Sequence, residues 1–295
     1  MKNVRRFSLV RCAAFVAMVI VASLTTSRAA IIPMYVFAGQ SNAVGVNSFS
    51  ELTPGQAAPQ PNVLFYGPNE LGNTWAPLTP SATSPNSFNG FGPEISAGKS
   101  ISAGLGGSQV AEVKYAVGAT SLWDPLDWNP NGNNNLYDQM VARVNAAGAA
   151  LAGQGHTTFV AGVFWMQGES DADEGHASEY GANLTNLIAS VRGLYGEATP
   201  FVFGQIIDRD ANTSIVRAQQ QLVANTVPNT AYVLTDDLGH TDFIHFNGPG
   251  AYTMGERFGA ANLAMIPEPG SLALLVAAAA ALLTGRHRQT RRTWK

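Results

Sequence analysis

Cysteine is almost missing from this chain. The single cysteine, Cys12, lies in the first thirty residues, a stretch read below as a removable export signal, so the mature chain can hold no disulfide and must be stabilised by burial alone. Charge is scarce as well: Asp, Glu, Lys and Arg make up 13% of 295 residues, with a formal net charge of −3. Lysine is nearly absent from the middle and arginine is scattered, so nothing there is placed to neutralise a phosphate backbone. Nucleic acid is therefore not expected as a partner. His156, His176 and His240 lack ligand-like spacing, and Asp171, Asp173, Glu174 and His176 read as an acidic helix start. Neither a metal nor a cofactor is expected, and there is no internal repeat.

The two ends differ from the middle. Lys2, Arg5 and Arg6 precede an apolar run through Phe15, Val16, Val19, Ile20 and Leu24, which closes on Ser27-Arg28-Ala29. That layout predicts an export signal over residues 1–29. Arg5-Arg6 before Phe7 leaves the general and twin-arginine routes both open. At the other end, Pro267-Glu268-Pro269 precedes an apolar run from Leu272 to Leu283 and a basic tail with Arg286, Arg288, Arg291, Arg292 and Lys295. The run is shorter than the roughly 20 residues usual for a membrane span, though the cationic tail supplies a cytoplasmic-side stop. The segment 267–295 resembles the PEP-CTERM sorting signal of Gram-negative bacteria. The resemblance implies recognition by an exosortase, transient membrane contact, removal of the tail, and delivery to the cell surface or exopolysaccharide. An ordinary C-terminal anchor helix is the alternative.

Residues 30–266 remain, enough for one large domain. Apolar runs at Ile31 to Ala38, Gln109 to Val117, Phe159 to Met166, Phe201 to Ile207 and Ala231 to Leu234 read as strands. Helical spacing recurs over Asn135 to Leu151, Ser178 to Leu194, Ser214 to Ala224 and Gly248 to Leu263. The alternation predicts an α/β fold: a five-stranded parallel sheet between two helical layers, flavodoxin-like. Asn47 to Asn89, rich in Pro, Ser, Asn and Gly, reads as a long loop, either a functional insertion or a disordered excursion.

Ligands of an open α/β sheet sit at the carboxyl ends of its strands. Those ends carry Gly39-Gln40-Ser41-Asn42, Gly118-Ala119-Thr120-Ser121, Gln167-Gly168-Glu169-Ser170-Asp171, Asp208-Arg209-Asp210, and Asp236-Asp237 leading to Asp242 and His245. Ser41 by itself reads as a helix cap. Asp242 stands three residues before His245, close enough for its carboxylate to hold one ring nitrogen and leave the other for a serine proton. The pair could equally cap a helix beginning at Asn247-Gly248. Trp165, inside a strand, reads as core, whereas Trp123 and Trp128, among Asp, Pro and Asn, read as exposed faces for a sugar ring.

Gly39-Gln40-Ser41-Asn42, Gly92-Pro93-Glu94, the block Trp165 to Asp171 and Asp242-Phe243-Ile244-His245 occur in that order. With Gly118 to Trp123 and Leu136 to Met140, they resemble the sialate O-acetylesterase and acetylxylan esterase branch of the SGNH hydrolases. The resemblance implies a serine esterase that removes O-acetyl groups from carbohydrate through an acyl-enzyme. Ser41 would be the nucleophile, His245 the general base and Asp242 its orienting carboxylate. The oxyanion hole would use the N–H groups of Ser41 and Gly92 and the side chain of Gln167. Glu169 is sometimes given to the triad in this branch; here the Asp242–His245 spacing favours a supporting role for it. Gln40, Asn42, Thr120, Ser121 and Trp123 are candidate substrate or supporting contacts. Two other readings stay open: an esterase for non-carbohydrate acyl groups, and a surface or exopolysaccharide-binding protein on the same fold.

Overall fold

The computed structural model describes residues 29–67, 73–79 and 90–266. Residues 1–28 of the expected export signal, and all of the expected sorting segment 267–295, lie outside the described residues. The strands are β1 (Ile31–Gly39), β2 (Gln60–Tyr66), β3 (Trp75–Leu78), β4 (Val110–Ala116), β5 (Thr157–Met166), β6 (Phe201–Gly204) and β7 (Thr230–Val233). The helices are α1 (Ser41–Val44), α2 (Glu94–Gly104), α3 (Leu136–Gly153), α4 (Glu169–Asp173), α5 (Tyr180–Tyr195), α6 (Ala211–Thr226) and α7 (Gly248–Met265).

The strands form one sheet in the order β3-β2-β4-β1-β5-β6-β7, parallel except for the antiparallel pair β2–β3. The expectation of five parallel strands is corrected: among the described residues the sheet has seven strands and is mixed. The two missed strands lie inside 47–89, the segment read as a loop. Pro61 and Asn62 interrupt the apolar pattern of β2, but they precede Val63, the first residue that pairs with β4. Pro77 stands on the edge strand β3, where a missing donor is tolerated.

Side chains alternate across the strands and show what covers each face. Phe164 of β5 stacks on Phe258 of α7, whereas its neighbour Trp165 reaches the Tyr180 hydroxyl at the start of α5. Lys114 of β4 bonds Glu94 of α2, and its neighbour Tyr115 bonds Gln139 of α3. Helices α2 and α7 thus cover one face, and α3 and α5 the other, with α6 packed on α5. The helix starts follow their capping residues. Asn135 accepts from the Asp138 N–H, Asp210 and Thr213 form a reciprocal box, and Asn247 accepts from the Gly250 N–H ahead of α7. Among the described residues, no helix is long and apolar enough to cross a membrane.

The core carries charge beneath the end of β1. Lys114 is fully buried, 2.9 Å from Glu94 Oε1, and donates to the carbonyl of Val44, the last residue of α1. Glu112, also fully buried, has its carboxyl pushed well above the ordinary glutamate value. Burial is the main cause and Glu94 adds to it, against opposition from Lys114 and the Gly98 N–H. A carboxyl that keeps its proton in the folded state, but loses it unfolded near 4.5, makes stability fall as pH rises above that value. Glu112→Gln is expected to flatten this decline. Between about pH 5 and 8 the urea midpoint of the variant should drop less than that of the wild type; parallel curves would show that Glu112 titrates normally.

Candidate active site

The order of the strands makes β1 the switch point, with β4 on one side and β5 on the other. The crevice for a ligand opens beyond its carboxyl end. There Gly39 adopts φ +130°, and a Cβ on it would overlap the carbonyl of Met166. Only glycine lets β1 run this close to β5 and turn at once into Gln40, whose N–H bonds that same carbonyl at 2.9 Å. Ser41 then opens α1. It is not the cap of that helix; Gln40 holds the capping position.

His245 Nε2 lies 3.1 Å from Ser41 Oγ, and His245 Nδ1 lies 2.9 Å from Asp242 Oδ2. Asp242 Oδ1 also accepts the N–H groups of Ile244 and His245, which fixes the tight turn between the two side chains. Partial burial raises the Asp242 carboxyl. The hydrogen bonds from the His245 ring and from these two N–H groups outweigh it and hold the carboxyl below the ordinary aspartate range. With Asp242 ionised, Nδ1 carries the ring proton, and Nε2 is left as acceptor for the Ser41 hydroxyl. The pair does not cap α7, since Asn247 does that.

Asn42 steadies this arrangement. Its side-chain nitrogen donates to the Ile244 carbonyl and to Glu169 Oε1, while its oxygen accepts the Phe246 N–H. It therefore grips the chain on both sides of His245. Glu169 is fully buried behind Asn42 and makes no hydrogen bond to His245. Burial pushes its carboxyl up, although its own N–H, Asn42, Arg209 and His245 draw it back. Gln40 is buried too, its oxygen accepting from the N–H groups of Gly168 and Ser170 at the start of α4.

Several expected contacts point elsewhere. The Gly92 N–H donates to Glu94 Oε1 at 3.1 Å, the same oxygen that pairs with Lys114, so Gly92 is committed to the buried ion pair and does not line the cavity around Ser41. Gln167 is fully buried, with its side-chain nitrogen bonded to the Thr120 carbonyl and to Asp171 Oδ2. The carbonyl requires a donor, which fixes the amide in that sense. The Thr120 hydroxyl bonds the Val117 carbonyl and the Trp128 indole, and Ser121 is buried with its hydroxyl unpartnered. Trp128, expected at the surface, is completely buried because Thr120 takes its N–H and Trp165 meets its ring edge-on. Trp123 is half-buried, stacked on His176 with ring centroids 3.9 Å apart.

Asp171 is the organiser that sequence reading passed over as an acidic helix start. Its carboxylate accepts the N–H groups of Leu122 and Trp123 as well as Gln167, and burial pushes it up to about 6 despite these donors. It thereby holds the turn after β4, where Ala119 has φ +56°. A left-handed alanine is strained by about 1–2 kcal/mol, and the turn brings Gly118 against Ser41, a Cβ on Gly118 standing 3.8 Å from that of Ser41. Gly118 and Ala119 line the cavity with Ser41 and His245. Gln167→Leu should therefore act through stability, leaving the Thr120 carbonyl without this donor and Asp171 with only its two backbone donors, at a cost of about 1–3 kcal/mol. The melting temperature is expected to fall by several degrees, and a loss of turnover with unchanged melting would instead make Gln167 a donor to the reacting oxygen.

The cavity around Ser41 measures about 520 Å³. A second one, of about 530 Å³, opens at the amino ends of the strands beside Pro33, Phe159 and Pro200, away from Ser41 and His245. Among the described residues, no group of three or more His, Cys, Asp or Glu side chains is placed to hold a metal.

The family described as carbohydrate esterase, sialic acid-specific acetylesterase, matches residues 32–264. Among solved structures the chain is similar to a protein of Arabidopsis thaliana, at 21% identity and TM-score 0.67, over 79% of this chain and 98% of that one. It is similar to NanS at 15% identity and TM-score 0.62, over 80% and 97%. A carbohydrate acetylesterase from Xanthomonas citri shares 19% identity at TM-score 0.58, over 78% of this chain and 55% of the other. At these identities the likeness is one of fold. No curated protein matches the chain by sequence.

Proposed function

Because the chain belongs to the carbohydrate esterase family of sialic acid-specific acetylesterases, and is thereby a carbohydrate O-acetylesterase, we propose that it works through an acetyl-enzyme on Ser41. The observation that carries this reading is the hydrogen-bonded run Asp242–His245–Ser41 at the mouth of an open cavity. His245 Nε2 takes the hydroxyl proton as Ser41 Oγ bonds to the acetyl carbon. The tetrahedral intermediate expels the sugar oxygen, which receives that proton from His245. Water then attacks the acetyl-serine, giving its proton to His245, and acetate leaves as Ser41 recovers its hydrogen.

The oxyanion is received by the N–H of Ser41 together with those of Gly118 and Ala119. Support comes from the contact of Gly118 with Ser41 and from the left-handed Ala119, since such a turn aims successive N–H groups to one side. Donors of this kind are worth about 3 kcal/mol each. Gly92 and Gln167 are left with the supporting bonds described above.

The reading extends to location. The charged, apolar and small-residue layout of residues 1–29 supports export, and Pro267-Glu268-Pro269 with its apolar run and basic tail supports sorting to the cell surface or exopolysaccharide. The substrate is an acetylated polysaccharide or an acetylated sialic acid. Acetate release by the full chain from acetylated xylan, O-acetyl sialic acid and an aryl acetate tests the activity. Release from a glycan is expected. Release from the aryl acetate alone would leave a serine esterase of another acyl ester, and no release at all would remove the reading.

A further inference from the structure

The Ser41 cavity, at about 520 Å³, is of the size that holds a whole small ligand, far beyond an acetyl group. Part of its lining is apolar, Val46 and Val117; another part is Ser170 and Asp173, three residues apart on one face of α4. Asp173 is the only carboxylate among the described residues of that lining. Arg209 donates to Asp173 Oδ1 at 2.7 Å, and Asp173 Oδ2 makes no hydrogen bond among the described residues. The guanidinium of Arg209 lies 5.9 Å from the ring centre of Phe243, between Asp242 and Ile244 in the loop that carries His245. The Arg209 side chain is only 14% exposed, and its Nε is buried without a partner among the described residues. A half-exposed ion pair adds little to stability. Arg209 also faces the buried Glu169 carboxyl, so it stands inward, under-bonded, between Asp173 and the loop that carries His245.

We propose that Ser170 and Asp173 form the subsite for the sugar that carries the ester, with Asp173 accepting hydrogen bonds from free hydroxyls beside the acetylated carbon. Arg209 is the positioning residue that points the carboxylate into the cavity. This rests on the acetylesterase reading above and adds a substrate class to it: a neutral sugar with free hydroxyls next to its acetyl group. A carboxylate has two oxygens to offer vicinal hydroxyls, and a charged acceptor makes the stronger bond. A sugar carboxylate is acceptor-only and has no hydrogen to give Asp173 Oδ2, so it finds no bond at that position.

The test compares kcat/KM of the full-length wild type, Asp173→Ala and Asp173→Asn on two esters: a neutral monosaccharide with one O-acetyl group and free neighbouring hydroxyls, and an aryl acetate with none. The ratio of sugar to aryl activity is expected to fall about 10–100-fold in Asp173→Ala, chiefly through KM, and less in Asp173→Asn, which keeps one acceptor. Arg209→Met should lower the ratio in the same direction. A ratio within about two-fold of wild type in Asp173→Ala, while the wild type cleaves the sugar ester, overturns the subsite and leaves the esterase standing. A wild type that cleaves only the aryl acetate overturns the carbohydrate reading, and the subsite with it. A wild type that prefers an acetylated sialic acid to the neutral sugar overturns the substrate class.

Discussion

Ser41→Ala is expected to lower kcat on an acetyl ester by about a million-fold while leaving the fold unchanged. In the proposed mechanism the hydroxyl is the atom that bonds to the acetyl carbon, and in a serine–histidine unit no neighbour can take its part. Losing one essential member costs about as much as losing several, so a Ser41→Ala/His245→Ala double variant should be no slower than either single one. The residual rate would come from binding and from the N–H groups around the oxyanion, which survive the substitution. Stability should barely move, because the hydroxyl makes one side-chain hydrogen bond, to the partly exposed ring of His245. The decisive measurements are acetate release at saturating substrate beside thermal melting. Mass spectrometry of wild type quenched during turnover adds a positive sign, one acetyl group on the peptide containing Ser41. Activity of Ser41→Ala within ten-fold of wild type would move the nucleophile elsewhere.

Much of this site could be read before any coordinates, for a physical reason. A parallel sheet buried on both faces writes its strands as apolar runs, and its ligand crevice lies where those runs end. Ser41, Gly118, Ser170 and His245 all follow such runs, and all line one cavity. The Asp242–His245 spacing was legible too, because three residues in a turn bring the two side chains together without help from the fold. What stayed hidden depended on partners distant in sequence. Glu94, which takes the Gly92 N–H, stands only two residues on, but what anchors that carboxylate is Lys114, and this contact needs β4 beside α2. The same holds for Gln167, whose direction is set by the Thr120 carbonyl 47 residues away. Trp128 sits among polar residues but is buried, since Thr120 takes its indole N–H and its ring packs edge-on against Trp165. Strand β3 escaped notice because it is a short edge strand that tolerates Pro77, and β2 because Pro61 and Asn62 interrupt its apolar pattern. A positive φ at Ala119 leaves no mark on the sequence at all, for alanine is the wrong residue to advertise it.

Asp242→Asn is expected to reduce kcat by about ten-thousand-fold, and Glu169→Gln by far less. The two carboxylates differ in what they touch. Asp242 bonds His245 Nδ1 at 2.9 Å, and its donors hold its carboxyl below the ordinary aspartate range; in the proposed mechanism it selects the tautomer whose Nε2 faces Ser41 and stabilises the ring when it takes the proton. An asparagine of the same shape offers an amide that can turn its NH2 toward Nδ1. The ring proton then moves to Nε2, and Ser41 loses its base while every heavy atom stays in place. Glu169 meets Asn42 instead, and reaches His245 only through the Ile244 and Phe246 contacts that Asn42 makes. Glutamine at 169 can still accept from Asn42, so turnover should hold within about ten-fold, with any loss shared by stability. The pH profile separates the roles further. With Asp242 held below the ordinary aspartate range, wild-type kcat/KM should show no loss from this carboxylate until pH falls below that range. Rate measurements on both variants across pH 4 to 9, beside their melting temperatures, decide the matter. A collapse in Glu169→Gln with Asp242→Asn still active would transfer the orienting role to Glu169, and the turn between Asp242 and His245 would then be scaffolding.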